Sequence, residues 1–325
     1  MTRRTFPPGF QSCRGLSLNI HTRDELDAIH RATLEVLGGV GVFVQKSEAR
    51  QLLAAAGARV NDQGLVKIPP HIVEGAIRTA PSTLTLAGLV PERDIVIDGA
   101  RVTFTNFGDG LSIIDPLTGE FRRTTKKDLG ALTRILDCLD VAGVIQQAVV
   151  SQDRPAPMQV IHGYEAMINN TTKHCFLGPG NSRNMETILR MAALASGGDL
   201  ADRCPVSFIT CPLSPLRLTE SCCEIIMTAA RSEAAVCILS MAMAGGSSPV
   251  HLAGTLVTHN AEILAGLTLA QLTRPGAKVI YGSSSTAMNL KAATAVVGTP
   301  ELGLINASVA TLARYYLLPS WVAGG

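Results

Sequence analysis

Aromatic residues are scarce in this 325-residue chain, which has one tryptophan, four tyrosines and eight phenylalanines. A surface that stacks nucleobases needs aromatic faces, so the shortage argues against single-stranded nucleic-acid binding. Excess charge of one sign is lacking too, with 28 Lys and Arg against 26 Asp and Glu. That balance gives no electrostatic pull on a polyanion or an anionic membrane. No run reaches the roughly 18–20 uncharged apolar residues of a membrane span; the best candidate, 234–244, is too short. The N-terminal MTRRTFPPGFQSC carries arginines but no apolar signal-peptide core. Eight cysteines (Cys13, Cys138, Cys175, Cys204, Cys211, Cys222, Cys223, Cys237) include no C-x-x-C pair. In a long chain without an export signal they read as small buried apolar groups in a reducing compartment. The expectation is a soluble cytoplasmic globular protein.

What is present is a regular alternation. Residues 1–95 form a mostly helical N-terminal region: Thr22 and Glu25 match a capping box, 47–58 reads as a second helix, and Pro69-Pro70 opens a third. From 96 to 325 short apolar runs alternate with helical patterns. The strand candidates are 102–107, 141–150, 174–177, 206–211, 235–241, 278–282 and 318–323. Runs of this kind suit parallel strands buried on both faces. The helical patterns between them are 125–140, 156–170, 182–195, 219–231, 249–273 and 300–316, and 109–123 reads as an inserted β-hairpin. The order predicts an α/β fold, a (β/α)8 TIM barrel that is incomplete, with about seven strands present. A doubly wound sheet is the alternative, but NFGDGLS leads into a hairpin rather than into a phosphate-binding helix turn.

In such a barrel the chemistry sits at the C-terminal ends of the strands. Those positions run from Asn106 to Asp109, then Gln147 with Ser151 to Asp153, Gly178 and Asn181, Cys211 to Ser214, Met241 to Gly246, Tyr281 to Ser285, and Trp321 onward. Lys173 and Lys278 precede their strands, which makes a Schiff-base lysine an unsuitable reading. No H-E-x-x-H, His-x-His or paired-carboxylate spacing appears, so no metal site is expected. Asp109 is the best-placed acid, although an Asp opening a hairpin is equally a turn residue. His162, His259 and Glu262 lie on helical patterns and read as hydrogen-bonded structural residues, because a buried carboxylate needs a partner.

Four stretches resemble one family: PMQVIHGYEAMINNTTKHCFLGPG (157–180), SPLRLTESCCEII (214–226), AGGSSPVHLAGTLVTHNAEILAGLTLAQLTRPGAKVIYG (244–282) and GTPELGLINASVATLARYYLLPSW (298–321). They are similar to the trimethylamine:corrinoid methyltransferase family over nearly the whole chain. The resemblance implies a TIM barrel that moves a methyl group from trimethylamine to the cob(I)alamin of a separate corrinoid protein, in methylamine metabolism and methanogenesis. On that footing the chain binds no cofactor of its own, and its partners are the corrinoid protein and a methylated amine, with a homo-oligomer as the default assembly. The pyrrolysine branch places pyrrolysine, encoded by UAG, just after a Gly-Gly like Gly324-Gly325, so the expectation is a translation truncated there. Asp109 would then protonate the pyrrolysine imine. Asn106, Phe107, Gln147, Tyr281, Ser283, Ser284 and Trp321 would bind substrate, with Phe107, Tyr281 and Trp321 as a partial aromatic wall.

Three other readings stand beside this one. The first is a betaine-type corrinoid methyltransferase without pyrrolysine. The second is a zinc-thiolate enzyme using Cys211 and Cys175. The third is an inactive fragment whose open barrel leaves two strand edges unpaired and poorly soluble.

Overall fold

The computed structural model describes residues 11–12, 20–99 and 101–324; Cys13 and Gly325, both named above, lie outside them. In chain order the helices are α1 (Arg23–Glu35), α2 (Ser47–Ala55), α3 (Pro70–Thr79), α4 (Lys126–Cys138), α5 (Gln159–Ile168), α6 (Ser182–Ser196), α7 (Glu220–Arg231), α8 (Leu252–Thr273) and α9 (Pro300–Tyr315). Six parallel strands carry the barrel pattern: β1 (Val144–Gln146), β2 (His174–Leu177), β3 (Val206–Thr210), β4 (Val236–Ser240), β5 (Val279–Ser283) and β6 (Ser320–Val322). Five of the last six predicted strands contain one of these, and β5 runs one residue past the predicted 278–282, to Ser283. Of the first, 102–107, one parallel bridge remains, Phe104 to Ala142, and a second, Gly110 to Val149, lies just beyond it. All six predicted helices of this region are present. Among the described residues no helix is long and apolar enough to cross a membrane.

The chain divides into two compact units. One comprises Met1–Gly15, Leu84–Ile209 and Ser232–Ala234. Its strands β1 and β2 pair in parallel, Val144 opposite His174, and β2 pairs with β3, Cys175 opposite Val206. Thr125 and Asp128 cap α4 reciprocally, which fixes where the helix leaves the predicted hairpin, Ser112–Ile114 against Phe121–Arg123. Arg122 clamps that hairpin to the helix start. Its guanidinium reaches Asp115 Oδ2 at 2.9 Å and Asp128 Oδ2 at 2.8 Å; it holds the Asp128 carboxyl pKa below the usual range, while that of Asp115 is lowered first by the Leu117 N–H and then by Arg122. Lys173 is buried, and its Nζ donates to Leu136 O and Leu139 O at the C-terminal end of α4. That site suits a cation because orphan carbonyls point there.

The other unit comprises Leu16–Thr83, Thr210–Arg231 and Ala235–Gly325. Its centre is α8, buried without a break over 259–271. It is buried around its whole circumference there, and the polar side chains it carries, His259, Asn260 and Glu262 among them, are hydrogen-bonded. The helices α1, α2, α3, α7 and α9 pack around it, and β4 and β5 lie against it. Thr22 and Glu25 form the expected capping box at the start of α1. A small sheet of Val42–Val44, Leu65–Lys67 and Arg59–Val60, not foreseen in the sequence, joins α1 to α3, and Arg217–Leu218 adds to it in parallel. In register, β4 pairs with β5 from Val236–Val279 to Ser240–Ser283, and Tyr281, Gly282 and Ser283 pair with β6.

Candidate functional site

The two units each present polar residues at strand C-termini. In the first unit, Asn106 stands in for a backbone ladder. Its Nδ2 donates to Gln146 O at 2.9 Å, and Gln146 N–H donates to its Oδ1 at 2.9 Å. The amide expected to touch substrate is thus engaged with its neighbour's main chain. Gly108 must be glycine here, since a Cβ would stand 2.4 Å from Gln146 Nε2. The chain then turns through Asp109 at φ 58, a left-handed conformation that Asp tolerates better than most residues. Asp109 N–H donates to Gln147 O at 2.8 Å, and Gln147 Nε2 donates to Asp109 Oδ1 at 2.9 Å.

Asp109 is reachable by solvent, yet protein atoms crowd its carboxyl. Desolvation by that crowding raises its pKa, and the Gln147 hydrogen bond partly opposes the shift. Gln147 is 5% exposed, and its Oε1 is buried with no hydrogen-bond donor. Helix α5 comes close enough that a Cβ on Gly163 would lie 2.4 Å from that oxygen. Phe107, by contrast, points outward at 87% exposure. So the structure brings Asn106, Asp109 and Gln147 together, with Gln146, Gly108 and Gly163 as supports that the sequence reading did not single out. Each support betrays itself only through contact with a residue 16 or more positions away, apart from the glycines as a composition signal.

In the second unit, Glu262 on α8 is fully buried and accepts three hydrogen bonds. Leu216 N–H reaches its Oε1 at 3.0 Å, while Ser214 Oγ and Ser240 Oγ reach its Oε2 at 2.9 and 2.6 Å. Burial raises its pKa, and all three donors oppose that shift. One turn earlier, His259 Nδ1 lies 3.0 Å from Ser285 Oγ, and Ser285 Oγ donates to Ser240 O at 3.3 Å. Burial drives the His259 pKa down to about 3, so it is neutral. The sequence predicts hydrogen-bonded side chains at both positions, and both are hydrogen-bonded. His162, expected to be hydrogen-bonded as well, lies 3.4 Å from Glu165 Oε2.

Of the remaining predicted contacts, Tyr281 is wholly buried. Its hydroxyl donates to Asn260 Oδ1 at 2.7 Å, and its ring centre lies 5.5 Å from His259 and 6.3 Å from Tyr316. Ser283 is buried too and its Oγ accepts from Ser285 N–H at 3.2 Å. Ser284 is half-buried and donates its N–H to Ser240 O at 3.0 Å. Trp321 is half-buried on β6, opposite Gly282. The Cys175 thiol is buried, and its pKa is pushed up to about 12, which disfavours the thiolate a zinc site requires. Among the described residues no group of three or more His, Cys, Asp or Glu is placed to hold a metal ion.

The chain matches a family model described as trimethylamine methyltransferase (MTTB) over residues 12–325. It is 48% identical over 320 residues to trimethylamine methyltransferase MttB of Desulfitobacterium hafniense, covering 98% of this chain and 64% of that protein. It is 43% identical over 324 residues to trimethylamine methyltransferase MttB1 of Methanosarcina mazei, covering 97% and 66%. The chain therefore spans just under two thirds of the length of these relatives. Among solved structures, the hydroxylamine MtmB complex matches at a TM-score of 0.55 with 13% identity, covering 92% of this chain and 66% of that one. At that identity the likeness shows the fold alone. That fold is the TIM barrel, and the strand-then-helix order described above follows it.

Proposed function

Because this chain belongs to the trimethylamine methyltransferase family, we propose that it demethylates trimethylamine, with the cobalt of a separate protein's corrinoid as the methyl acceptor. The match over residues 12–325 carries this reading. The chemistry sets a clear requirement. A methyl group leaves nitrogen readily only when the nitrogen lone pair is already engaged, so that nitrogen departs as a neutral amine holding the C–N electron pair. The standard side chains offer acids, bases and nucleophiles, and an electrophile for the amine has to be supplied beside them.

In this reading Asp109 holds the proton that activates that electrophile. Its raised pKa favours the protonated carboxyl, and Gln147 fixes the orientation of Oδ1. The family resemblance assigns the electrophile to a pyrrolysine. Reading the gene through the codon after Gly325 tests that assignment: UAG followed by an open frame supports it, and a sense codon favours the betaine-type alternative. The activity itself is tested with the full-length enzyme, trimethylamine and a corrinoid protein reduced to cob(I)alamin, following methylcobalamin by its absorbance. Methyl transfer from glycine betaine but not from trimethylamine would replace the reading, and transfer from neither would end it.

A further inference from the structure

The ladder between β5 and β6 stops at a defined point, and a side chain takes over from it. Tyr281 N–H donates to Pro319 O, and Ala323 N–H donates to Ser283 O, both at 2.9 Å. Bonds in a parallel ladder are evenly spaced, and the same spacing makes Ser285 N–H the next donor, opposite Ala323 O. That N–H is turned instead to Ser283 Oγ, at 3.2 Å. Ala323 O is met from α9, where Asn306 Nδ2 donates to it at 2.5 Å. Asn306 thus replaces the main-chain donor at the place where β5 lets β6 go.

Packing does not account for an amide there. Asn306 is buried, and its buried neighbours along α9 include Leu302, Ile305 and Val309. Its second amide atom, Oδ1, is buried with no donor among the described residues, an arrangement that costs stability. Asn106 shows the completed form of the same device in the other unit, where one amide takes both the C=O and the N–H of Gln146. At Asn306 the donor is used and the acceptor is left over. The chain beyond has little else to hold it, since Gly324 is exposed and a Cβ on it would meet nothing within 4 Å. This is the C-terminal end of a barrel strand, where a TIM barrel keeps its chemistry.

We propose that Asn306 is a positioning residue: it anchors the main chain where it leaves β6, and so fixes the direction in which the segment beginning at Gly324 enters the mouth of the barrel. Oδ1 is the second anchor point, an acceptor for an N–H of that segment, as Asn106 Oδ1 is for Gln146. The consequence for catalysis rests on the methyl transfer proposed above, whereas the anchor itself does not.

Two variants of the full-length enzyme test it. Asn306→Leu nearly keeps the volume and removes both amide atoms. Asn306→Ser stays polar, but its short hydroxyl turns back to its own helix; it carries the test if the leucine variant fails to fold. The first readout is amide hydrogen exchange in a peptide covering 318–324. Either variant is expected to speed exchange there on the order of tenfold, with exchange in α8 unchanged. The second readout is the split between kcat and KM for methyl transfer from trimethylamine, scaled to folded protein. A misdirected segment lowers kcat on the order of tenfold or more and leaves KM within about twofold. A tie that served stability alone would lower the urea midpoint and leave kcat per folded molecule at the wild-type value. Exchange over 318–324 at the wild-type rate in a folded variant overturns the anchor, and faster exchange with wild-type kcat overturns the positioning role. If wild type leaves trimethylamine untouched while exchange responds to the variants, the proposed reaction fails and the anchor stands.

Discussion

Removing a single oxygen from Tyr281 separates two roles for this residue. In the structure its hydroxyl is the donor to Asn260 Oδ1, at 2.7 Å. Asn260 is itself wholly buried and donates from Nδ2 to Thr33 Oγ1 at 2.9 Å and to Tyr316 OH at 2.8 Å. Tyr281→Phe leaves the ring packing and the volume almost unchanged, so no cavity term arises. What remains is a buried carbonyl oxygen without a donor, which costs about 1–3 kcal/mol. We expect a loss near the middle of that range, about 2 kcal/mol, read as a lower urea midpoint at an unchanged slope. Asn260→Leu should cost more alone, because it strands the Tyr281 hydroxyl as well. The double variant Tyr281→Phe with Asn260→Leu should recover about 1–2 kcal/mol relative to the sum of the singles, the coupling expected of residues in direct contact. The KM of the full-length enzyme for trimethylamine should not move with Tyr281→Phe. An unchanged urea midpoint combined with a raised KM would refute this reasoning and place the hydroxyl against the amine.

Acid should unfold the protein through its buried histidines. His174 and His259 have pKa values driven down to about 4 and about 3 by burial. The unfolded chain binds protons that the folded chain refuses, so stability is present above the ordinary histidine pKa near 6.5 and falls as pH drops below it. Between pH 7 and pH 5 each contributes a loss of about 2 kcal/mol by linkage, visible as a falling urea midpoint, and a flat profile would contradict the burial of both rings. At the Asp109 site, Gln147→Leu removes the hydrogen bond that opposes desolvation, so the Asp109 pKa should rise further in a carboxyl-carbon NMR titration; a fall would show that the hydrogen bond favours the protonated form. Gly163→Ala should raise it too, because a Cβ 2.4 Å from Gln147 Oε1 forces the amide away from Asp109. Gly282→Ala should be the most damaging small change, about 3 kcal/mol or more, since its Cβ would meet Ile238 O at 2.8 Å and Leu239 Cα at 3.0 Å, main-chain atoms that cannot swing aside. A Gly282→Ala protein that melts like wild type would mean β4 and β5 are not paired in this register.

The order of strands and helices was legible because it rests on local signals. Short apolar runs bounded by turns, capping residues such as Thr22 with Glu25, and helical spacing each report on fewer than twenty residues. The small sheet of Val42–Val44, Leu65–Lys67 and Arg59–Val60 escaped notice for the same reason in reverse. Its strands are two or three residues long, too short for any alternation to show. Glu262 was recognisable as needing hydrogen-bond partners, because an acid amid apolar residues must have them. Which partners they are was not, as Ser214 and Ser240 lie 48 and 22 positions away.

The direction of Tyr281 was the harder question, and it shows where reading a barrel from sequence reaches its limit. A strand that alternates apolar and polar residues declares which face is buried, but β5 is buried at all five positions and makes no such declaration. Mouth residues and helix-facing residues then look alike. One signal was nevertheless present. Gly282 interrupts the strand, and glycine inside a strand marks a place where something approaches closely. The neighbour is β4, with Cys237 Sγ 2.5 Å from where a Cβ would stand. Adjacent strand residues face opposite ways, so Tyr281 and Ser283 lie on the other face from that contact. Helix α8 covers that face: Tyr281 reaches Asn260 there, and on β4 Ser240 reaches Glu262 and Ile238 meets Gly266. The glycine thus assigns Tyr281 to the helix layer, and the Tyr281→Phe measurement tests that assignment directly.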